Sequence, residues 1–266
     1  MTIQPLLFSD IDSLNELQPP DWEDMLPHIR YYINSSHCDP IKIISGKKIA
    51  GIGTTLKHRD TAWLAHIIVH PEFRNKGLGK MITDALVKSI DRRKFKTIYL
   101  IATELGYPVY LRSGFELEAE YADFDIEPGR NNFKISGNII PFEEKYKTQI
   151  LELDLLTMGE NREIRLNEHF QSCFVFYSKN KVKGAYFPKF GDGLIIAGSE
   201  EAGVELMKLR IQEKNYAIFP KDNKVAFEFY SRGNFKFDKY QKRMRLGKKR
   251  IWHPENLYNR VSGQIG

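Results

Sequence analysis

A glycine-bearing turn between an apolar strand and an amphipathic helix constrains this chain most. The turn is Arg74–Gly79, Arg-Asn-Lys-Gly-Leu-Gly, and it follows the apolar run Trp63–Val69. After the turn, apolar residues recur at three- and four-residue spacing, which predicts an amphipathic helix. The first amides of such a helix have no intrahelical partner, and the helix dipole favours an anion beside them. Because glycines leave the backbone uncovered and Arg74, Lys76 and Lys80 add positive charge, the pattern predicts a pyrophosphate site.

Two other phosphate-binding patterns do not fit this turn. A P-loop needs Gly-x4-Gly-Lys-Ser/Thr, and a dinucleotide-binding turn needs a third glycine where this chain has Ile82. The turn instead reads Arg-x-x-Gly-x-Gly, preceded by Val69 and Pro71. This motif resembles the acyl-coenzyme A loop of the GNAT N-acetyltransferases, whose pattern is Gln/Arg-x-x-Gly-x-Gly/Ala. The resemblance implies acetyl-coenzyme A as the cofactor, with its pyrophosphate on the amides of residues 74–80.

A tyrosine after the next apolar run supports the resemblance. Residues 97–102 are predicted to form a buried strand, and a short helix that ends at Gly114 follows it. GNAT enzymes carry a tyrosine four residues before a Gly-Phe pair, and Tyr110 stands four residues before Gly114 and Phe115. The resemblance implies that Tyr110 protonates the departing thiolate, since a phenol of pKa about 10 can donate to a thiolate of pKa about 8.5. The alternative is a tyrosine that only packs on the sheet.

The segments before the turn complete the expected fold. Ser9–Leu14, and a segment that begins at Asp21 after two prolines, predict two helices. Apolar runs on both sides of Ser45–Lys48 predict a hairpin that leads to the Trp63–Val69 strand. This order resembles that of GNAT domains over roughly residues 1–135. The expected fold class is therefore α/β (α+β), with a mixed, mostly antiparallel twisted sheet flanked by helices.

The resemblance also implies how the central strand works. In GNAT enzymes this strand parts from its neighbour and the pantetheine arm pairs with the edge so exposed, a role that falls here to Ile67, Ile68 and Val69. A backbone amide near Val69 is expected to stabilise the oxyanion, and rate is gained by proximity and orientation. Many members have a glutamate on this strand as the base, whereas this chain has only His66 and His70 as titratable residues there. His66 has an ordinary pKa near 6.5 that suits a base, but it could equally be a packed histidine.

The second half repeats the first more faintly. A hairpin around Ser178–Lys181, a strand at residues 193–197, a helix over residues 200–211 and a strand at 216–219 follow the same order. Aligned on the glycine, Phe229 takes the place of Tyr110 and has no proton to give. The acidic pair Glu200 and Glu201 stands where the first half has its glycine turn, and it would repel a pyrophosphate. The second copy is therefore predicted to be catalytically inactive.

This arrangement resembles a bacterial subfamily of tandem GNAT proteins. It implies a catalytic domain over residues 1–138 and a degenerate GNAT-like domain over residues 139–266. Among the second-domain marks are Leu153-Asp154 and Gly159-Glu160-Asn161-Arg162. Asp154 and Arg162 are candidate substrate residues that form a wall at the domain junction, and the equal alternative is a helix cap with an internal ion pair.

Composition and charge exclude several classes of protein. No apolar stretch approaches the ~20 residues of a membrane span, and the start of the chain has no pattern of a secretory signal, so a cytoplasmic protein is expected. Cys38 and Cys173 are expected to be thiols, and no metal-ligand spacing is present. The net charge of +6 is concentrated in residues 239–250, where a solvated face or attraction of coenzyme A is favoured over nucleic acid.

Two functions remain open. The favoured one is an acetyl-coenzyme A-dependent N-acetyltransferase, in which a primary amine of a small molecule or peptide attacks directly in a ternary complex. The alternative is a non-catalytic acyl-coenzyme A sensor or interaction module. An acceptor pocket is expected at Asp21, Trp22, Glu23 and Asp24, because carboxylates beside an aromatic plate suit a cationic amine, although an ordinary helix turn explains them too.

The sequence leaves the oligomeric state open and is compatible with a monomer. The expected site residues fall into three groups. They are Tyr110 and His66 for catalysis, Trp22, Asp154 and Arg162 for the substrate, and Ile67, Ile68, Val69, Arg74, Asn75, Lys76, Gly77, Leu78, Gly79 and Lys80 for the cofactor. No metal, nucleic acid or membrane partner is expected.

Overall fold

The chain divides into two compact units. The computed structural model describes residues 1–20, 22–126, 133–233 and 235–265. The first unit consists of Met1–Glu116, Met244–Lys248 and Gly263–Ile265, and the second consists of Leu117–Arg243 and Lys249–Ser262. The assignment of a catalytic domain to residues 1–138 and a degenerate one to residues 139–266 stays a prediction.

The first unit is built on a sheet whose order is β1-β2-β3-β4-β5, followed by residues 244–247 of a later strand. Strands β1 to β4 pair antiparallel, and β5 pairs parallel to β4. In chain order its elements are β1 (Thr2–Pro5), a 3-10 helix (Phe8–Leu17), α1 (Leu26–Asn34), β2 (Cys38–Ser45), β3 (Lys48–Lys57), β4 (Thr61–Val69), a 3-10 turn (Pro71–Phe73), α2 (Leu78–Ser89), β5 (Thr97–Ala102) and α3 (Tyr107–Arg112).

The core of the first unit lies where α2 packs on the sheet. The apolar face of α2 buries Leu78, Ile82 and Leu86, as its sequence periodicity predicts. The helix comes very close to β3, because a Cβ built on Gly53 would lie 2.6 Å from Ile82 Cγ2 and 2.9 Å from Leu86 Cδ1. A glycine at this position therefore sets the distance between the helix and the sheet.

The second unit contains two sets of strands. One sheet has the order β13-β10-β9-β8-β7, and β11 pairs antiparallel with β6, which lies beside β12. Its elements are β6 (Glu116–Asp125), β7 (Ile139–Pro141), a 3-10 turn (Glu144–Tyr146), α4 (Lys147–Met158), α5 (Glu163–Leu166), a 3-10 turn (Phe170–Ser172), β8 (Phe174–Ser178), β9 (Lys181–Phe187), β10 (Leu194–Ala197), α6 (Glu200–Arg210), β11 (Tyr216–Pro220), α7 (Lys224–Arg232), β12 (Lys236–Gly247), a 3-10 turn (Pro254–Asn256) and β13 (Leu257–Asn259).

The two units follow the same order of elements. In the first unit this order is the hairpin β2–β3, then β4, α2, β5 and α3. In the second it is the hairpin β8–β9, then β10, α6, β11 and α7. The predicted fold class, with two mixed, mostly antiparallel sheets flanked by helices, is confirmed.

The first two predicted helices differ from the expectation. The segment after Phe8 forms a 3-10 helix, and the helix expected to begin at Asp21 begins instead at Leu26. The side chain of Gln18 gives the reason, because its amide nitrogen donates to the carbonyls of Pro19, Trp22 and Glu23 at 3.0–3.2 Å. Those carbonyls are then committed to a loop, while Asp21 itself lies outside the described residues.

Three expectations from composition can be compared with the described residues. None of the helices in the described ranges is both long and apolar enough to cross a membrane. Cys38 and Cys173 are buried and are not joined by a disulfide bond. The basic run at residues 239–250 is not only a solvated face, since Arg243 is fully buried and its Nε donates to Glu118 at 2.8 Å.

We expect Gly53→Ala to destabilise the protein by about 1–3 kcal/mol, because the new methyl group overlaps two core side chains of α2. Denaturant unfolding measures the change in the free energy of unfolding. Gly137→Ala is the matched control, since a Cβ at Gly137 would meet nothing within 4 Å. Equal stability of the two variants would show that α2 can move away from β3 at little cost.

Candidate functional site

The predicted anion site lies at the N-terminus of α2. Gly77 precedes the helix with φ of 80°, a left-handed conformation that favours glycine, and Asn75 is also left-handed with φ of 61°. The first helical bond in the turn is donated by the amide of Met81 to the carbonyl of Gly77. The amides of Leu78, Gly79 and Lys80 therefore precede the helical ladder, as the geometry of a helix start requires.

The space around Gly79 fits a ligand better than a packing role. A Cβ at Gly79 would lie 3.7 Å from Val109 and 3.9 Å from Val69, which are ordinary contact distances, and Gly79 is not left-handed. Neither crowding nor backbone conformation therefore requires glycine at this position. An approaching phosphate would require it, because a side chain here would cover the amides. The residues present thus fit the pyrophosphate that the motif predicts.

The cationic side chains of the turn also shape it. Arg74 donates from Nε to the carbonyl of Val69 at 3.2 Å, and Lys76 donates from Nζ to the carbonyl of Glu72 at 3.0 Å. Lys80 forms an ion pair with Asp84 one helical turn later. The bonds of Arg74 and Lys76 tie the turn to the segment that ends β4, while Asp84 offsets part of the positive charge of Lys80.

Strands β4 and β5 separate beside this turn. Among the described residues they pair only from Thr61–Thr97 to Trp63–Tyr99, so β4 has no β5 partner beyond Trp63. The edge of β4 from Leu64 to Val69 is thereby unpaired on the β5 side, and it contains Ile67, Ile68 and Val69. Such an edge can accept an extended arm by backbone hydrogen bonds.

A β-bulge in β4 presents His66. The pairing with β3 changes register between Ile52–Ile68 and Thr54–Ala65, so Gly53 faces both His66 and Ile67. His66 has φ of 45°, which is unusual for a residue other than glycine. Bulges often re-aim a side chain beside an active site.

Three aromatic or imidazole rings surround the His66 ring. Nδ1 of His66 lies 2.9 Å from the hydroxyl of Tyr32, and the ring centroids of Trp22 and His28 are 5.9 Å and 5.4 Å away. His66 is only 6% exposed. Burial, aided by the charge of nearby His28, lowers the pKa of His66 to about 3, so its imidazole is neutral at physiological pH. The same burial raises the pKa of Tyr32.

Tyr110 lies on α3 in the core of the first unit. It is 9% exposed, its ring packs against Phe115 at 6.2 Å, and the backbone of Gly106 lies beneath it. Burial raises the pKa of Tyr110 to about 12, so the phenol keeps its proton over the whole physiological range. Tyr110 therefore keeps its phenolic proton, and packing fixes its position.

A cavity of about 300 Å³ lies between the 3-10 helix and the start of α1. It is lined by Leu14, Asn15, Gln18, Trp22, Asp24, Met25 and Leu26. Trp22 is 40% exposed and its ring edge also meets His66, so the cavity and the bulge share a wall. This exposure does not fit a Trp22 that packs inward as a core residue.

Sequence patterns missed three residues of this site. Gln18 holds the loop that carries Trp22, and its carbonyl oxygen also accepts from the amide of Met25 at 3.1 Å. Tyr32 and His28 contact His66 from α1, more than thirty residues earlier in the chain. No local motif signals such contacts, although the spacing of His28 and Tyr32 places both on one face of a helix.

Comparisons with known proteins agree with this geometry. Residues 9–115 match the model of the acetyltransferase (GNAT) family. Residues 9–115 form a GNAT-family domain. Members of this family transfer acetyl groups and in general bind acetyl-coenzyme A.

Two solved structures resemble this chain over most of its length. A provisionally named acetyltransferase from Pyrococcus horikoshii has a TM-score of 0.83 and 19% identity, covering 100% of this chain and 95% of its own. A tandem GNAT protein from the clavulanic acid biosynthesis pathway has a TM-score of 0.61 and 13% identity, covering 92% and 98%. At these identities the likeness concerns the fold alone.

A curated relative matches a shorter part of this chain. It is the tRNA N6-adenosine threonylcarbamoyltransferase of Mycoplasmopsis agalactiae, 26% identical over 155 residues, or 54% of this chain. The match covers 44% of the length of that relative.

The described residues of the second unit show no open gap like that of the first. The edge of β10 is paired with β13, with Ile195 opposite Asn259. Asn259 accepts from the amide of Ile218 on β11 at 2.9 Å, and the amide of Arg260 donates to the carbonyl of Ile218 at 2.8 Å. The last strand of the unit thus fills the place between β10 and β11.

The other two predicted substrate residues form a buried ion pair in the second unit. Arg162 donates from Nη2 to Asp154 Oδ1 at 2.5 Å and from Nε to Oδ2 at 3.2 Å. Both side chains are almost wholly buried, and they line a cavity of about 170 Å³ beside α4. The internal ion pair is observed, and a role in substrate binding stays a prediction.

We expect His66 to stay neutral down to about pH 4. In an NMR titration its ring signals should not move between pH 8 and pH 4, because the folded pKa of about 3 lies far below the unfolded value of 6.5. A His66 signal that titrates near pH 6.5 would contradict the enclosure described above.

The same difference makes stability depend on pH. Below pH 6.5 His66 binds a proton in the unfolded state but not in the folded state. The free energy of unfolding therefore falls by up to ~1.4 kcal/mol per pH unit from this residue as the pH is lowered towards 3. Comparison with His66→Gln at pH 7 and pH 5 isolates this effect.

Proposed function

We propose that this protein is an acetyl-coenzyme A-dependent N-acetyltransferase that acts on a primary amine by direct attack in a ternary complex. The observation that carries the proposal is the pairing of two features in one unit. The helix start has a glycine that packing does not require, and the adjacent β4 edge is unpaired where β5 parts from it. A phosphate-bearing extended arm fits both.

The residues that would hold acetyl-coenzyme A follow from this. The amides of residues 78–80 and the charges of Arg74, Lys76 and Lys80 face a pyrophosphate, while Asn75 and Gly77 give the turn its left-handed shape. The β4 edge at Ile67, Ile68 and Val69 offers backbone groups to the pantetheine arm. When bound, the cofactor supplies an acetyl thioester, and the chain supplies position and electrostatics.

Tyr110 is proposed as the proton donor to the leaving thiolate. Its phenol is protonated at every working pH, because burial raises its pKa to about 12. The core contacts with Phe115 and Gly106 limit its movement, so it can act only on a group placed beside α3. Geometry, more than pKa, then decides whether it acts.

His66 is proposed to take the proton from the acceptor nitrogen once that nitrogen has attacked. The bond between Nδ1 and the Tyr32 hydroxyl leaves Nε2 as the ring atom for this exchange. Trp22 is proposed as a wall of the acceptor pocket, because it borders both the cavity and the His66 ring. The acceptor would thus enter from the side of α1.

The second unit is proposed not to bind coenzyme A. Ser199 caps α6 with its own hydroxyl, which accepts from the amide of Ala202, and Glu200 and Glu201 follow in the first turn. Strand β13 occupies the edge of β10, and Phe229 offers no hydroxyl. We also propose that Asp154 and Arg162 bind substrate at the cavity that they line within the second unit.

A non-catalytic acyl-coenzyme A sensor remains the second candidate. The observation in its favour is the neutral, enclosed His66 on a strand where many family members have a glutamate. The two candidates differ in one measurement. A sensor binds acetyl-coenzyme A but releases no thiol with any amine.

We expect Gly79→Asp to abolish the binding of coenzyme A while the protein stays folded. The side chain has room in the ligand-free protein, but its carboxylate would face the pyrophosphate at the amides. Titration calorimetry should give one site per chain for the parent protein. Gly137→Asp, with the same change in charge on an open turn, is the control. Two equivalent sites in the parent would show that the second unit also binds.

We expect Tyr110→Phe to lower turnover by ~100- to 10,000-fold with little change in coenzyme A affinity, since it removes a proton donor and little packing area. Thiol release from acetyl-coenzyme A against a panel of amines measures turnover. The matched control is Tyr107→Phe, on the same helix. An unchanged rate, under conditions where chemistry limits turnover, would remove Tyr110 from the mechanism.

A further inference from the structure

His66 differs from the neighbouring His70 in what surrounds it. His70 Nε2 lies 3.0 Å from the carboxylate of Glu16. His66 is faced by Tyr32 and His28 of α1 and by the uncharged ring of Trp22, and the bulge places Gly53 opposite it. Within the described residues, no carboxylate forms an ion pair or hydrogen bond with His66.

This enclosure limits the chemistry of the bulge. A buried imidazole without a counter-charge binds a proton only weakly, so it cannot take one from a free alkylammonium ion. The pKa of His66, about 3, lies far below that of a lysine-type amine. A neutral imidazole can still accept a proton from a nitrogen that has already attacked, because that nitrogen is far more acidic.

The acceptor cavity does not provide an obvious substitute for His66 as a base for an alkylammonium ion. Its lining includes the apolar side chains of Leu14, Met25 and Leu26 beside the uncharged polar side chains of Asn15 and Gln18. Asp24 is the one carboxylate among the described residues that line it, and Asp24 Oδ1 accepts from the amide of Leu26 at 2.9 Å at the start of α1. The cavity therefore suits an apolar arm beside the amine, and Asp24 already serves the helix.

We propose that the acceptor is a weakly basic primary amine on an apolar arm, such as the α-amino group of an amino acid amide or a peptide, which enters the bulge as the free amine. The proposal rests on the proposed acetyltransferase function and specifies its substrate class. An α-amino group has a pKa of about 8, and an alkyl amine of the lysine type about 10.4. At pH 7 the fraction of free amine therefore differs about 200-fold between them.

A matched pair of acceptors tests this preference. Leucinamide and 3-methylbutylamine carry the same branched apolar arm and differ in the basicity of the amine. We expect leucinamide to have the higher kcat/KM at pH 7, by ~10-fold or more after allowing for the greater nucleophilicity of the alkyl amine. The ratio should fall steadily as the pH rises to about 10, because roughly a quarter of the alkyl amine is then free, against nearly all of the α-amino group. Thiol release at saturating acetyl-coenzyme A measures both acceptors.

The variant Asp24→Asn tests whether the Asp24 carboxylate acts as the base for the acceptor amine. The ratio of the two acceptors should stay the same in this variant, even where both KM values rise. A ratio that changes with Asp24, or a preference for the alkyl amine at pH 7, would overturn the proposal while leaving the acetyltransferase function intact. Thiol release with neither acceptor nor any other amine, although acetyl-coenzyme A binds, would instead refute the proposed function and the substrate class with it.

Discussion

The short pairing between β4 and β5 is the constraint on which the first unit depends. Parallel strands cannot be joined by a tight turn, so α2 must cross from one to the other, and its N-terminus then lies at the end of β4. The three pairs from Thr61–Thr97 to Trp63–Tyr99 hold the strands together at one end only. Beyond them the strand edge and the helix amides remain open side by side. The proposed anion site and the proposed site for an extended arm are thus consequences of one separation.

The second unit shows what happens when the same order of elements closes that opening. Strand β13 pairs with the edge of β10, and Asn259 bonds to the backbone of β11. Gly203 of α6 makes room for this segment, since a Cβ there would lie 2.1 Å from the ring of Tyr258. Here a glycine serves internal packing, whereas Gly79 has room that packing does not use. Two glycines near helix starts therefore have opposite meanings, and only the surroundings distinguish them.

Sequence reasoning succeeded where the signal is local. The Arg74–Gly79 turn, the hairpin at Gly46 and the helix that carries Tyr110 are each specified by residues close together in the chain. It failed for the start of α1, because the bonds from Gln18 to three loop carbonyls override the helical pattern of Trp22–Met25. The enclosure of His66 depends on Tyr32 and His28, and the closing of β10 depends on β13, sixty residues later. Contacts of that range leave no periodic mark in one sequence.

The state of His66 connects the fold with the chemistry. A bulge forces it into a left-handed conformation, and the free energy for this comes from the pairing of β3 and β4 on both sides. The protein also holds the ring in neutral form by burial, which costs stability below pH 6.5 and gains none above it. A packed histidine with no chemical part would not need the strained bulge, since an apolar residue would fill the space among Trp22, His28 and Tyr32 without the polar atoms. What the histidine adds is a neutral ring whose Nδ1 is bonded to the Tyr32 hydroxyl, an arrangement suited to a nitrogen nucleophile that arrives without its extra proton.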